Sequence, residues 1–211
     1  TDLHRAIARP VFEHGMIVHN SIVFALKNAK HGKDVFSGEI DDYAYARIGR
    51  RNPTVREFER AMILGEAGKH PDFDKTYDAI ATASGMAATY LLATSLCKKK
   101  KHIVSSPWVY GGIYALFDQD LPSYSGIKTT FVRNPLEESS WDRAVTKQTA
   151  FLWAESPANP FGVVNIPMLS RVAKKHGIPL FIDNTICTHA LQKPLALGAD
   201  GVMVSASKGI N

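Results

Sequence analysis

The sequence predicts an α/β fold in which a mostly parallel sheet is flanked by helices, and two observations indicate it. From about Asp78 onward, short β-branched or apolar runs alternate with segments of helical length. This alternation is typical of parallel sheets that carry helices on both faces. The 211 residues are 45% hydrophobic and 21% charged, which is an ordinary balance for a chain that buries a sizeable core.

The predicted strands and helices follow one another along the chain. The strands are Asp78–Ala83, His102–Ser105, Lys128–Val132, Ala150–Glu155, Pro179–Asp183 and Gly201–Ser205. The helices are Gly85–Leu96, the segment around Trp141–Lys147, and Pro167–His176, which a glycine follows. Ligands of such sheets bind beyond the carboxyl ends of the strands. At that edge we expect four polar residues, namely Ser84, Glu155, Asp183 and Ser205.

The first 50 residues differ from the rest of the chain. They contain a helix-like segment, Asn20–Lys30, and then a polar, glycine-bearing stretch through Asp42, with no clear strand. We therefore expect an extended N-terminal arm over residues 1–50 and one α/β domain over residues 51–211.

Composition and charge indicate the compartment in which the protein works and the classes of partner that it binds. No stretch approaches the roughly 20 apolar residues of a membrane-spanning helix, and residues 1–15 lack the apolar core of a signal peptide. Cys97 and Cys187 match no metal or disulfide pattern, which favours a reducing, cytoplasmic setting. The formal charge of +5 is densest at Lys98–Lys101, which has no interleaved aromatic residues. A solvated face is therefore favoured over a nucleic-acid site, and we expect neither a membrane nor a nucleic-acid partner.

The most informative motif lies at the end of the chain. Ser205-Ala206-Ser207-Lys208 follows an apolar run, so two hydroxyls and an amine would lie at the carboxyl end of a strand. Hydroxyls bind phosphate, and a lysine with a lowered pKa attacks carbonyl groups; pyridoxal phosphate offers both partners. Alone the motif is weak, because a lysine after a strand is usually a surface charge.

Two further motifs fit the same chemistry. Asp183 ends an apolar run, and its carboxylate can pair with a pyridinium nitrogen or, alternatively, cap the next helix. Ser84-Gly85-Met86 leads from a strand into a helix, where N–H groups attract phosphate, although this is also a generic turn. No GxGxxG or GxxxxGK motif is present, so neither a dinucleotide site nor a P-loop is supported.

With its other motifs, the chain resembles the Cys/Met-metabolism family of fold-type-I pyridoxal-phosphate enzymes from about Tyr45 to Asn211. Six motifs in the family order carry the resemblance: Tyr45-Ala46-Arg47 with Asn52-Pro53-Thr54, Ser84-Gly85-Met86, Tyr110-Gly111-Gly112, Glu155-Ser156-Pro157-Ala158-Asn159-Pro160, Asp183-Asn184-Thr185 and Ser205-Ala206-Ser207-Lys208. The resemblance implies that the cofactor phosphate is held by the amides of Gly85 and Met86 and the hydroxyls of Ser205 and Ser207.

The resemblance implies roles around the cofactor ring for five residues. Tyr110 would stack on the ring and Asp183 would pair with its nitrogen. Asn159 would lie near the ring hydroxyl, with Glu155 as a supporting acid. Lys208 would bind the cofactor covalently and later move protons.

Tyr45 and Arg47 resemble a pair that reaches the site from a neighbouring subunit, the arginine toward the phosphate and the catalytic tyrosine toward the substrate. The resemblance thus implies a homodimer or homotetramer with shared active sites. The family pattern is interrupted by Arg50 and Arg51, either of which could take the place of Arg47.

Within the family, the local sequence around these motifs is most similar to that of O-acetylhomoserine sulfhydrylase. Methionine gamma-lyase and the cystathionine lyases and synthases follow. The resemblance implies β- or γ-elimination or γ-replacement on a sulfur-containing or O-acylated amino acid. These enzymes carry a smaller C-terminal domain after the lysine, so we expect this chain alone to be inactive.

Two functions of other classes are alternatives to an enzyme of this family. One is an inactive, truncated paralogue that serves as an interaction subunit, although no expected cofactor residue has been lost. The other is a metal hydrolase using Asp183, Cys187 and His189, whose positions match no standard ligand pattern; no metal is expected.

Overall fold

The structure, a computed structural model, describes residues 18–49, 52–68 and 76–210. These residues fall into two units, one within Thr1–Leu64 and Asp74–Ala81, the other within Gly65–Phe73 and Thr82–Asn211. The division into an arm over residues 1–50 and a domain over residues 51–211 stays a prediction.

The first unit contains a helix and a small hairpin in place of the elements expected there. Helix α1 spans Ala29–Ser37, and strands β1 (Tyr43–Tyr45) and β2 (Ile48–Gly49) pair antiparallel. The predicted helix Asn20–Lys30 is wrong because Asn28 caps α1, its side chain accepting from the N–H of His31 at 2.8 Å.

The residues before Asn28 pair with the hairpin instead of forming a helix. Phe24 N–H donates to Ala44 O at 2.9 Å, and Ala46 N–H donates to Ile22 O at 2.7 Å. The expectation that this part of the chain has no strand is therefore also wrong. These pairings join residues about 20 positions apart, which the local pattern does not show.

Helix α2 (Pro53–Ala67) begins just after Asn52, whose side-chain oxygen accepts from the N–H of Thr54 at 2.8 Å. The predicted strand Asp78–Ala83 is wrong, since residues 77–82 have no regular structure. The N–H of Ala81 donates to the carboxylate of Glu59 in α2 at 2.9 Å rather than to a neighbouring strand.

A five-stranded parallel sheet forms the centre of the second unit, as far as the structure describes it. Its strands are β3 (His102–Ser105), β4 (Lys128–Phe131), β5 (Thr149–Glu155), β6 (Leu180–Asp183) and β7 (Gly201–Met203), in the order β4-β3-β5-β6-β7. The predicted parallel sheet is confirmed, and each of these strands lies within two residues of its predicted bounds.

Helices follow most of these strands. The helices after the strands are α4 (Gly111–Ala115), α5 (Leu121–Ser125), α6 (Glu138–Ala144), α7 (Ile166–His176) and α8 (Thr188–Leu191), with a π-helical turn at Leu116–Asp120 between α4 and α5. Helix α3 (Gly85–Leu96) precedes β3. Helix α3 has its predicted bounds. Helix α7 ends at Gly177, which adopts φ 62°, a left-handed conformation that glycine adopts readily.

Apolar side chains cover both faces of the sheet. On one face Leu152 packs with Trp141 of α6 and Leu169 of α7. On the other, Trp153 packs with residues of the α4–α5 run, including Phe117. Successive residues of β5 thus enter opposite cores, which accounts for its continuous apolar sequence.

In the described residues, no helix has both the length and the apolar character that crossing a membrane requires.

Candidate cofactor site

The carboxyl edge of the sheet brings two acids together. Glu155 ends β5 and Asp183 ends β6, and the two residues are register partners on neighbouring parallel strands. Both are almost fully buried, with 2% and 3% of their surface exposed. The predicted positions of these acids at the strand ends are found in the structure.

Asp183 is held by the residue two positions after it. The N–H of Thr185 donates to Asp183 Oδ1 at 2.9 Å, and the Thr185 hydroxyl accepts from the N–H of Ser205 at 2.9 Å. Burial raises the pKa of Asp183, while the bonds from Thr185 act to lower it. The helix-capping alternative is wrong, because Cys187 occupies the N-cap position of α8.

Glu155 accepts from two loops at once. Its Oε2 accepts the main-chain N–H of Tyr110, and its Oε1 accepts that of Asn159 at 3.1 Å. Burial and the nearby charge of Asp183 raise the pKa of Glu155 to about 7, and the two N–H bonds oppose this rise. Sequence reasoning placed this acid in the site without indicating that it joins the two loops.

The start of α3 lies against the segment that precedes Lys208. Ser84 caps the helix, its hydroxyl accepting from the N–H of Ala87 at 3.1 Å. A Cβ on Gly85 would lie 2.9 Å from Ser205 Cβ, so this approach requires glycine. The hydroxyls of Ser205 and Ser207 are 3.4 Å apart. The N–H groups at the start of α3 thus lie close to the hydroxyls of Ser205 and Ser207, and together these groups form one polar corner.

Lys208 follows this corner at an exposed position, and its N–H donates to Ser205 O at 3.2 Å. The aromatic ring of Tyr110 lies over Gly112, where an added Cβ would be 2.6 Å from Tyr110 Cε1 and 3.4 Å from Met86 Sδ. The side chains of Tyr110 and Met86 therefore both lie beside Gly112.

A partly buried polar network that the sequence analysis missed supports the strand ends. The side-chain amide of Gln192 donates to Ser156 O at 2.7 Å and to Asn184 Oδ1 at 2.9 Å. The Asn184 amide donates in turn to Gln192 O and to the carboxylate of Glu66, at 2.9 and 3.2 Å. Ser156 and Asn184 directly follow the two buried acids. Nothing in the local sequence pattern indicates a contact between residues 66 and 184.

The remaining predicted residues, Tyr45 and Arg47, lie in the first unit. Tyr45 belongs to β1, and the Arg47 guanidinium lies 4.7 Å from the centre of its ring, a cation–π contact. Arg50 and Arg51, the alternatives to Arg47, lie outside the described residues.

The residues of the second unit fit pyridoxal phosphate. An anion is suited to the α3 N-terminus, where the close approach of Gly85 to Ser205 places hydroxyls beside N–H groups. The buried carboxyl group of Asp183 is suited to a cationic ring nitrogen, because a buried charge requires a partner of opposite sign. Among the described residues, no group of three or more His, Cys, Asp or Glu side chains is arranged to hold a metal ion.

This fold, with an amine and a buried acid at the carboxyl edge of a parallel sheet, defines the class of α/β enzymes that use pyridoxal phosphate. The chain belongs to the Cys/Met metabolism PLP-dependent enzyme family, whose model matches residues 9–211. The predicted family, fold class and cofactor are thereby confirmed.

Individual relatives agree with this assignment. The chain is 39% identical to the O-acetyl-L-homoserine sulfhydrylase of Corynebacterium glutamicum, over 90% of this chain and 41% of the relative. It is 36% identical to the O-succinylhomoserine sulfhydrylase of Pseudomonas aeruginosa, over 96% and 47%. It is 35% identical to the methionine gamma-lyase of Arabidopsis thaliana, over 94% and 44%. The chain spans less than half the length of these relatives.

A solved structure is also similar. The crystal structure assigned to an O-acetylhomoserine (thiol)-lyase from Campylobacter jejuni superposes with a TM-score of 0.82 at 25% identity, covering 92% of this chain and 45% of that chain. It contains N'-pyridoxyl-lysine-5'-monophosphate, a lysine joined to the cofactor.

Proposed function

We propose that the protein containing this chain catalyses γ-replacement on an O-acylated homoserine, with a sulfide or thiol as the incoming nucleophile. The observation that carries the proposal is the meeting of Asp183, Glu155 and the Ser205–Lys208 segment at one sheet edge. The sulfhydrylase relatives support the choice of substrate class.

The chain's own residues would hold the cofactor at two ends. The N–H groups of Gly85 and Met86 and the hydroxyls of Ser205 and Ser207 would bind its phosphate. Asp183 would bind the ring nitrogen, and Tyr110 would lie on the ring face. Asn159 would lie beside the ring hydroxyl.

When bound, pyridoxal phosphate supplies an aldehyde that bonds to amines and a ring that draws electrons away from Cα of the amino acid. Lys208 would bond to the cofactor at rest and, once released by the substrate amine, its Nζ would take the Cα proton. Asp183 would keep its negative charge beside the ring nitrogen, so that the nitrogen retains its proton.

In the replacement itself, the bond between Cγ and the acyl oxygen breaks and a bond between Cγ and sulfur forms. The carboxylate leaves with the bonding electrons, and the sulfide contributes the new pair. Elimination without replacement would make the protein a methionine gamma-lyase or cystathionine lyase, and the Arabidopsis relative supports the first as the second candidate.

We further infer that the protein works as a cytoplasmic homodimer or homotetramer. Tyr45 and Arg47 would complete the site of a neighbouring subunit, the guanidinium as a donor to the phosphate.

The experiment is a substrate panel on the whole protein. O-acetylhomoserine, O-succinylhomoserine, cystathionine and methionine are each supplied with and without sulfide, and keto acid release and sulfide incorporation are measured. We expect an acylated homoserine with sulfide to give the highest kcat/KM for incorporation. Keto acid release that is unaffected by sulfide would overturn replacement in favour of a lyase.

A further inference from the structure

One side chain holds two loops of the candidate site. Tyr110 follows β3 and Asn159 follows β5, and their main-chain N–H groups donate to different oxygens of the Glu155 carboxylate. Both N–H groups bond to this side chain rather than to the main chain of a strand. The carboxylate therefore links the two loops, which also pack together where Trp108 lies against Gly162.

The carboxylate itself is rigidly placed. Glu155 is the last residue of β5, which lies between β3 and β6 in the sheet, and only 2% of its surface is exposed. A buried side chain on an inner strand has little freedom to move. The sheet thus fixes Glu155, which accepts one main-chain N–H from each loop.

We propose that Glu155 is a positioning residue that places Tyr110 and Asn159 for contact with the cofactor ring, acting through their main chain. This proposal rests on the proposed function, in which the protein binds pyridoxal phosphate. In this role Glu155 need not touch cofactor or substrate.

The arrangement requires both the charge and the length of glutamate. A carboxylate has two accepting oxygens, whereas the amide of glutamine has one acceptor and an NH₂ group that would face an N–H donor. Aspartate keeps two acceptors but is one methylene shorter, so it cannot reach both loops from the same strand position. Bonds from an N–H to a charged acceptor are also the stronger kind.

We call the two N–H bonds from Tyr110 and Asn159 to the Glu155 carboxylate the clamp. The groups around Glu155 make the strength of the clamp depend on the ionisation of this carboxyl group. Asp183 faces it from β6, while the N–H groups of Tyr110 and Asn159 face it from the two loops. The pKa of Glu155, raised to about 7 by burial and Asp183, means that both N–H bonds strengthen together when its proton leaves.

The first test uses Glu155→Gln in the whole, cofactor-free protein. We expect amide hydrogen exchange at Tyr110 and Asn159 to become at least about tenfold faster while the core of β3 and β5 keeps its protection. The dissociation constant for pyridoxal phosphate should rise at least about tenfold. Glu138→Gln is the matched control, because Glu138 is an exposed carboxylate of α6 paired with Arg171 at 2.8 Å.

Unchanged exchange at the two amides would overturn the proposal, and so would faster exchange spread evenly over the core strands, since that marks a general loss of stability. Because the exchange is measured without cofactor, it judges the clamp independently of the proposed function. Failure of the wild-type protein to bind pyridoxal phosphate would instead remove the proposed function.

A second measurement needs no variant and covers the case in which Glu155→Gln does not fold. The amide chemical shifts of Tyr110 and Asn159 are followed against pH in the wild-type protein. We expect both to move with one shared midpoint, since one carboxyl group accepts from both. Separate midpoints, or no movement, would contradict the clamp.

Discussion

Glu155 and Asp183 stand opposite each other on neighbouring parallel strands with both carboxyl groups buried. Two adjacent carboxylates in a low-dielectric site are costly when both are ionised. The pair therefore favours either one retained proton or a nearby cation. A protonated ring nitrogen beside Asp183 would supply that cation, which links the electrostatics of this edge to the cofactor.

The first prediction concerns the charge of Asp183. Asp183→Asn should lose far more turnover than cofactor occupancy, because an amide cannot keep the ring nitrogen protonated, whereas the phosphate contacts remain. Each 1.4 kcal/mol or so added to the barrier costs about tenfold in rate. Single-turnover Cα deprotonation and cofactor content are measured on the same variant. Near-normal deprotonation would exclude the proposed pairing.

The second prediction concerns the approach of Gly85 to Ser205. Gly85→Ala should weaken pyridoxal phosphate binding at least about tenfold, because the new Cβ would lie 2.9 Å from Ser205 Cβ and displace a hydroxyl that we propose binds the phosphate. Gly111→Ala is the control, since nothing lies within 4 Å of a Cβ there. Cofactor titration checks both. Equal affinities in the two variants would contradict the close approach.

The third prediction concerns pH. The pKa of Glu155 is raised from 4.5 to about 7, so between these values the folded state binds its proton more tightly than the unfolded state. The contribution of Glu155 to the free energy of unfolding therefore falls as pH rises from about 4.5 to about 7, by up to about 3 kcal/mol.

Glu155→Gln should remove this part of the pH dependence. Denaturant unfolding of the cofactor-free protein near pH 5 and near pH 7.5 measures it, and Glu138→Gln should retain the wild-type difference. A variant at position 155 with the full wild-type difference would show that another group is responsible.

The fourth prediction concerns Lys208. Borohydride should attach pyridoxal phosphate permanently to this residue. Lys208 follows Ser205 and Ser207, whose hydroxyls we propose bind the phosphate, so its amine would lie near the aldehyde. Peptide mapping after reduction locates the label, and Lys208→Ala should carry none. A label on a different lysine of the wild-type protein would disprove the assignment.

The fifth prediction concerns sharing of sites between subunits. Lys208→Ala and Arg47→Ala proteins should each be inactive, but mixing them should restore activity, because some hybrid sites contain neither change. Subunit exchange is followed in parallel with the assay. If exchange occurs and activity does not return, Arg47 does not act across an interface.

The sequence predicted the parallel sheet well because its strands are short β-branched or apolar runs that alternate with segments of helical length. It failed where distant partners decide the structure. Ala81 bonds to Glu59 in α2 instead of joining a strand, and residues 22–24 pair with the hairpin instead of forming a helix. Helix propensity and periodicity describe neighbours along the chain, and neither reports such contacts.

The same limit applies to the candidate site. Residue types and spacing were enough to place Asp183 at a strand end and Gly85 at a helix start, while the roles of these residues and of Lys208 stay predictions. They could not reveal that Glu155 bonds to residue 110 or that Asn184 bonds to Glu66, 118 positions away. The first contact joins the segments that follow two neighbouring strands, β3 and β5, and the second joins helix α2 to the end of β6.

That strand order has a consequence of its own. From β3 the chain first moves outward to β4, and it then returns to build β5, β6 and β7 on the other side. The runs after β3 and β5 leave toward opposite faces, so a crevice opens between them, at a topological switch point. The Glu155 carboxylate bridges this crevice to Tyr110. The winding of the backbone thus determines where a ligand can enter, and the side chains determine which ligand it is.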